Sequence, residues 1–226
     1  MNDLRLFRNF SEHFACVSAS YGDILARHMN LSGRTASGST VHIDWSTGNM
    51  HGRPILSSVK TLGQLGGVFH DRKAWLATDP GTVVYTVQWQ ELVPQETEGG
   101  LFWGSTRIEA GRVGDEYFMT RGHFHAKRNR GEYYTTVQGE GMLMLMDENR
   151  LARVEIMFPG SLHYIPGYTA HRTINTGGKP LLFWACWPSD AGHDYGTIAA
   201  EHFSARVLQR NNVAEVVTEE PKAAEK

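Results

Sequence analysis

The chain has 226 residues, with 22 Lys and Arg against 24 Asp and Glu, a formal net charge of −2. That balance excludes a general nucleic-acid binder, which needs a cationic surplus, and 41% hydrophobic with 20% charged residues excludes wholesale disorder. Two cysteines, Cys16 and Cys186, are too few for a disulfide framework.

In chain order, residues 1–40 read as an N-terminal helical extension. Phe7, Phe10, Phe14, Val17, Tyr21 and Ile24 recur at steps of three and four, so they share a helical face. The small polar run SGRTASGST (32–40) is a connector. From 41 to 210 the pattern is strand-like. VVYTVQW (83–89) is rich in β-branched and aromatic residues, and LFWGSTRIEA, EYYTTVQ, GMLMLM, RVEIMF, LHYIP, HRTIN and LLFWACW follow at short spacing. Gly and Pro clusters such as QGEG, FPGS and NTGGKP separate them. Many short strands with turn chemistry between them predict an all-β sandwich or barrel. Residues 211–226 read as a flexible tail. No apolar run approaches 18 residues and no secretory pattern opens the chain, so neither a membrane nor export is expected, and the protein is placed in the cytoplasm.

Eleven His direct attention to metal or proton chemistry. The densest chemistry is GHFHAKRNRGEYYTTVQGEG (122–141). On a strand His123 and His125 share one face, and Glu132 opens the next predicted strand, where a hairpin can carry its carboxylate beside both rings. His171 is the fourth candidate. Three imidazoles and a carboxylate suit a divalent transition metal. The H-x-H pair alone means little, since with 11 His in 226 residues it arises about 0.5 times by chance. Taken singly, Tyr133, Tyr134 and Tyr195 could be core aromatics, His193 could serve a turn capped by Asp194, and KRNR (127–130) could be a solvated loop.

The frame H-x-H-x6-E-x6-G (His123, His125, Glu132, Gly139), followed by Pro159, Gly160, Pro166, His171 and Asn175, resembles the two cupin motifs. With DRKAW (71–75), PGTVVY (80–85) and DAGHDYGTIA (190–199), it resembles the cupin-type glucose-6-phosphate isomerase family over about residues 68–205. The resemblance implies a cupin double-stranded β-helix, or jelly-roll, barrel over 41–210. It implies one divalent metal per subunit, Fe2+ or Mn2+ first and Ni2+ or Zn2+ next, on His123, His125, Glu132 and His171. It implies catalytic roles for Glu132, His193 and Tyr195, and sugar-phosphate contacts at Tyr85, Thr106, Thr120, the backbone of Gly122, Tyr134, His193 and Tyr195. Arg121, Lys127, Arg128 and Arg130 would steer the anion. The chain departs from the family at Trp187, where a tyrosine is usual. The implied reaction interconverts glucose 6-phosphate and fructose 6-phosphate, a step of glycolysis and gluconeogenesis, by a cis-enediol or a hydride shift. A homodimer is implied as well. Another metal-dependent cupin, such as an Fe(II) oxygenase, and a non-catalytic sugar-binding cupin are the alternatives.

Overall fold

A computed structural model of the protein describes residues 41–52 and 54–218. The helical extension expected over 1–40 lies outside them. The strands are β1 (Val41–Ile43), β2 (Met50–Gly52), β3 (Leu56–Thr61), β4 (Val83–Gln90), β5 (Leu101–Ile108), β6 (Arg112–Val113), β7 (Glu116–Tyr117) and β8 (Glu132–Gln138). They continue as β9 (Gly141–Asp147), β10 (Ala152–Met157), β11 (Leu162–Ile165), β12 (Thr169–Ile174), β13 (Leu181–Pro188), β14 (Ala205–Arg210) and β15 (Val213–Thr218). Two short helices, Arg72–Leu76 and Tyr195–Glu201, are too brief to show a 3.6-residue period; each is announced only by a capping aspartate, Asp71 and Asp194.

Every strand pairing is antiparallel. One wall is a six-stranded sheet in the order β11-β8-β13-β5-β4-β3. The other is built from β10-β9-β12 and from β15-β14-β7-β6. Single bridges from Met119 to Ile174 and from His123 to His171 carry the segment after β7 along the free edge of β12. This is the all-β cupin fold that the motifs predict. Central position explains the least alternating sequences: β9 lies between β10 and β12, β13 between β8 and β5, and both are buried over most of their length. Leu143, Leu145, Met157, Ile165, Ile174 and Leu181 form the middle of the core.

Polar residues fasten the walls. Ser161 Oγ donates to Thr136 Oγ1 (2.9 Å) and lies 2.8 Å from His163 Nε2, while His163 Nδ1 is 2.8 Å from Glu155 Oε2, linking β8, β11 and β10. Gly139 has φ +82, and a Cβ there would lie 2.4 Å from the Pro180 carbonyl oxygen, so the motif requires glycine for backbone reasons. The flexible tail expected from 211 needs correction over its described part. Val213–Thr218 is β15, paired along β14 through a two-residue loop whose Asn211 and Asn212 both have positive φ. An Asn-Asn pair supplies that primed turn, a signal present in the sequence as QRNNVAE.

Asn175, the last residue of the second motif, is fully buried. Its Nδ2 donates to the carbonyls of Ile108 (3.0 Å) and Lys179 (2.9 Å), and its Oδ1 accepts from Gly177 N–H (3.0 Å). Asn175→Ala leaves the Ile108 and Lys179 carbonyls and the Gly177 amide short of this partner. A stability loss of about 2–4 kcal/mol is expected from urea unfolding midpoints, with little change in metal affinity. A loss under about 0.5 kcal/mol, the range of neutral surface changes, would contradict this role.

Candidate functional site

The ligand candidates are brought together by the backbone. His123 N–H donates to His171 O (3.2 Å) and His171 N–H to His123 O (3.0 Å). The next residue pairs on the opposite side: Phe124 N–H donates to Asp194 O (3.3 Å), and Asp194 N–H donates back to Phe124 O (2.8 Å). His123 and His125 therefore alternate with a buried Phe124 as the strand reading predicts, but in isolated bridges rather than a strand. Each neighbour belongs to a different segment, so no continuous ladder forms. Glu132 is the first residue of β8, as expected.

One donor atom from each of His123, His125, Glu132 and His171 lies within 4.8 Å of every other. Glu132 Oε1 is 2.6 Å from His171 Nε2 and 3.4 Å from His125 Nε2. Glu132 Oε1 and His171 Nε2 are buried and lack hydrogen-bond partners. Such orphaned atoms, one a carboxylate oxygen and one an imidazole nitrogen, are what a divalent cation would satisfy. His125 Nδ1 lies 2.7 Å from the Arg130 carbonyl oxygen, which can only accept. Nδ1 therefore carries the hydrogen, and Nε2 offers its lone pair to the cluster. The residues present thus fit a metal.

Electrostatics agree. Burial alone would raise the Glu132 pKa, but the imidazoles of His171 and His125 outweigh it and hold the carboxyl well below the usual range. Burial, with His171 and His193 adding to it, pushes His123 well below the ordinary imidazole value, so its ring is neutral. Burial, and next the charge of the Glu132 carboxylate, drive the Tyr134 pKa well above the phenol value.

The basic loop after the H-x-H pair is tied up in ion pairs with acids. Arg130 forms a two-point pair with Asp190, Nε to Oδ1 at 2.9 Å and Nη2 to Oδ2 at 2.7 Å. Lys127 bridges Asp190 (3.1 Å) and Glu96 (2.8 Å). Arg128 pairs with Asp194 (2.6 Å) and lies over the Phe124 ring at 4.1 Å. Asp194 also caps the helix Tyr195–Glu201 through Thr197 N–H (3.1 Å). DAGHDYG is therefore partly a clasp, in which Asp190 and Asp194 hold the loop that carries the Arg130 carbonyl.

Tyr85, Thr106, Thr120, Gly122, Tyr134, His193 and Tyr195 all line one cavity of about 390 Å³ with the four ligand candidates. That volume is in the range of small-molecule sites. The His193 and Tyr195 rings are parallel, 5.5 Å apart. Thr120 Oγ1 accepts from Thr173 N–H (3.0 Å), leaving its hydrogen to donate. Burial pushes the Tyr85 phenol up to about 12. Gly122 has φ +77, and a Cβ would meet Phe203 at 2.6 Å. Trp187 lies in the cavity wall against Phe102, centroids 6.0 Å apart. The sequence reading missed Lys60, Trp89 and Glu91, which also line the cavity. The alternation in LSSVKT is the only local sign of Lys60, and its polarity hides the strand.

A family model described as Glucose-6-phosphate isomerase (GPI) matches residues 59–224. The chain is 42% identical over 184 residues to the glucose-6-phosphate isomerase of Thermococcus litoralis, covering 80% of this chain and 94% of that one. It is 42% identical over 179 residues to that of Pyrococcus furiosus, covering 78% and 93%. Among solved structures, a deletion mutant of Bacillus subtilis oxalate decarboxylase overlaps at 18% identity and TM-score 0.38, over 49% of this chain and 27% of that one.

Asp190→Asn keeps the side chain's size and removes the charge that anchors Arg130. Metal affinity is expected to fall about tenfold, the effect of loosening a ligand's supporting partner, as read by Mn2+ titration followed by EPR. The clasp's contribution is fully present above the ordinary aspartate range, because Arg130 first and Lys127 next hold Asp190 well below it. It fades only as pH falls through that lowered value. Unchanged affinity in a folded variant would refute the clasp.

Proposed function

The chain belongs to the cupin-type glucose-6-phosphate isomerase family, and from that premise we infer how its residues carry the interconversion of glucose 6-phosphate and fructose 6-phosphate. The observation that carries the reading is the quartet of His123 with the buried His125, Glu132 and His171 beside a hydroxyl-lined cavity. These four residues would hold a divalent transition metal, which three imidazole nitrogens and one carboxylate oxygen suit, and the family resemblance puts Fe2+ or Mn2+ before Ni2+ or Zn2+. When bound, the metal would polarise the C1 and C2 oxygens as a Lewis acid, worth several kcal/mol.

The protein's own groups do the rest. Thr106, Thr120 and the backbone at Gly122 supply neutral donors for phosphate and hydroxyl oxygens, beside the Tyr85 phenol. His193 and Tyr195 form a stacked pair beside His123, placed to handle protons of the ring oxygen and C1 hydroxyl as the sugar opens. Tyr134 lines the cavity beside the quartet, with its ring centroid 5.8 Å from that of His171. Two routes then move the hydrogen. Glu132 takes the C2 proton and returns it to C1 through a cis-enediol, or the hydrogen passes directly from C2 to C1 as hydride. Deuterium entering the product from D2O distinguishes the first from the second. The family match favours both over an oxygenase or a binding-only cupin.

A homodimer fits the outer face of the large sheet. There Tyr164, Tyr133, Cys186 and Trp103 form a row across β11, β8, β13 and β5, with Tyr133 and Tyr164 half exposed and their rings 5.0 Å apart. The free thiol of Cys186 and a phosphorylated substrate suit the cytoplasm. Among the described residues, no helix is long and apolar enough to cross a membrane.

The test is a coupled assay on fructose 6-phosphate, with chelated protein and then with each metal restored. Turnover is expected to vanish on chelation and to return with Mn2+ or Fe2+. Turnover that persists in protein shown to be metal-free would refute the metal-dependent reading. So would its absence in folded protein loaded with each of the four ions. Glu132→Gln is expected to lower kcat at least about 100-fold and to weaken metal binding; near-normal kcat would remove Glu132 from the reaction.

A further inference from the structure

Three carboxylates line the cavity, those of Glu132, Glu96 and Glu91. Glu132 belongs to the quartet, and Glu96 is paired with Lys127 at 2.8 Å. Glu91 differs: it is half buried, and among the described residues no cation pairs with it. Its Oε1 accepts from two neutral donors, Trp89 Nε1 (2.9 Å) and Gln95 Nε2 (3.2 Å). Its Oε2 takes no hydrogen bond among the described residues. The carboxylate is thus held in place by one oxygen and has the other left for a ligand.

The sheet places it at the reacting end. Tyr85, Val87, Trp89 and Glu91 line the cavity at every second position, as one face of a strand requires. Tyr133 pairs with Cys186, Trp187 with Phe102, and Trp103 with Gln90. One step along these strands sets Glu132, Trp187, Phe102 and Glu91 in a row. Aromatic rings fill the space between the two carboxylates. Trp187 lies against Phe102, and a Cβ on Gly104 would be 2.9 Å from Trp187 Cη2, so the indole covers bare backbone there. Trp89 spends its N–H on Glu91 and keeps its ring face for packing. An ionised carboxylate only accepts hydrogen bonds, and it repels a phosphate. Sugar hydroxyls, which carry hydrogens and no charge, suit this corner, and sugar C–H faces suit its rings.

We propose that Glu91 is a specificity-determining residue that accepts hydrogen bonds from the C3 and C4 hydroxyls of the sugar phosphate, while Trp89 and Trp187 cover the C–H face between them. This rests on the isomerase reading above. Along the sheet Glu91 stands three strand spacings, about 14 Å, from Glu132. Glutamate side chains reaching in from both sides of that span leave room for a few carbon atoms. With C1 and C2 at Glu132, the next hydroxyls toward Glu91 are those on C3 and C4.

The test compares Glu91→Gln and Glu91→Ala with wild type, all metal-loaded and with matched Tm. The glutamine keeps an oxygen for Trp89 and Gln95 and turns the other acceptor into a donor. KM for fructose 6-phosphate is expected to rise about ten- to a hundredfold, the loss of a hydrogen bond to a charged group. The kcat/KM preference for fructose 6-phosphate over its C3 and C4 epimers is expected to fall about tenfold, because the site no longer reads those hydroxyls. Affinity for inorganic phosphate, titrated calorimetrically, should not weaken. An epimer preference within about twofold of wild type in both variants would overturn the proposal, whatever KM does. Glucitol 6-phosphate keeps the hydroxyls and phosphate but has no carbonyl, so its binding does not depend on turnover. It should bind wild type at least about tenfold more tightly than inorganic phosphate, and Glu91→Gln should lose most of that surplus. If wild-type protein turns over no sugar phosphate, the isomerase reading fails by itself. The glucitol 6-phosphate surplus then decides Glu91: its absence in wild type, or its persistence in Glu91→Gln, would refute the contact.

Discussion

A carboxylate removed from water is unstable unless something replaces its solvent, at a cost of several kcal/mol per ion. Glu132 is 5% exposed and stands among three imidazoles, two of them also almost wholly buried. Its Oε1 lies 2.6 Å from His171 Nε2 and 3.4 Å from His125 Nε2. Much of the barrel's local construction serves to hold that arrangement. His123 and His171 are joined by reciprocal backbone hydrogen bonds, and Glu132 begins the strand that pairs with β11 and β13. A buried polar cluster of this kind is tolerable only when fully satisfied. Orphaned atoms at its centre therefore identify the site better than any fold likeness.

The charges around this centre are divided by task. Asp190 and Asp194, both within DAGHDYG, are spent on arginines. Through Arg130 their influence reaches His125 Nδ1, and through the helix cap it reaches Tyr195. The loop thus gains its shape from the residues that would otherwise have steered the substrate.

Legibility in the sequence followed physical locality. All eight strands named between 83 and 187 are present within a residue or two, because β-branched and aromatic runs bounded by glycine and proline encode them locally. The quartet was legible because cupin spacing is rigid: Gly139 cannot carry a Cβ, and Asn175 binds three backbone groups. The two helices, the Asn211–Asn212 hairpin and the cavity lysine were not read. The helices span seven residues or fewer, too short for periodicity. Lys60 takes its meaning from Tyr85, a partner 25 positions away that only sheet register supplies. Partner identity also decided the KRNR loop, since the acids that claim it lie about 60 residues later.

The central claim is that the Glu132 cluster is a divalent-metal site, and calorimetric melting of chelated protein during Mn2+ titration tests it most directly. One ion should bind per chain. At a hundredfold excess over Kd it should add about 2.7 kcal/mol, raising Tm by about 5–10 °C, and His171→Ala should abolish the rise. A Tm that ignores Mn2+, Fe2+, Ni2+ and Zn2+ alike, or that rises equally in His171→Ala, would contradict the account.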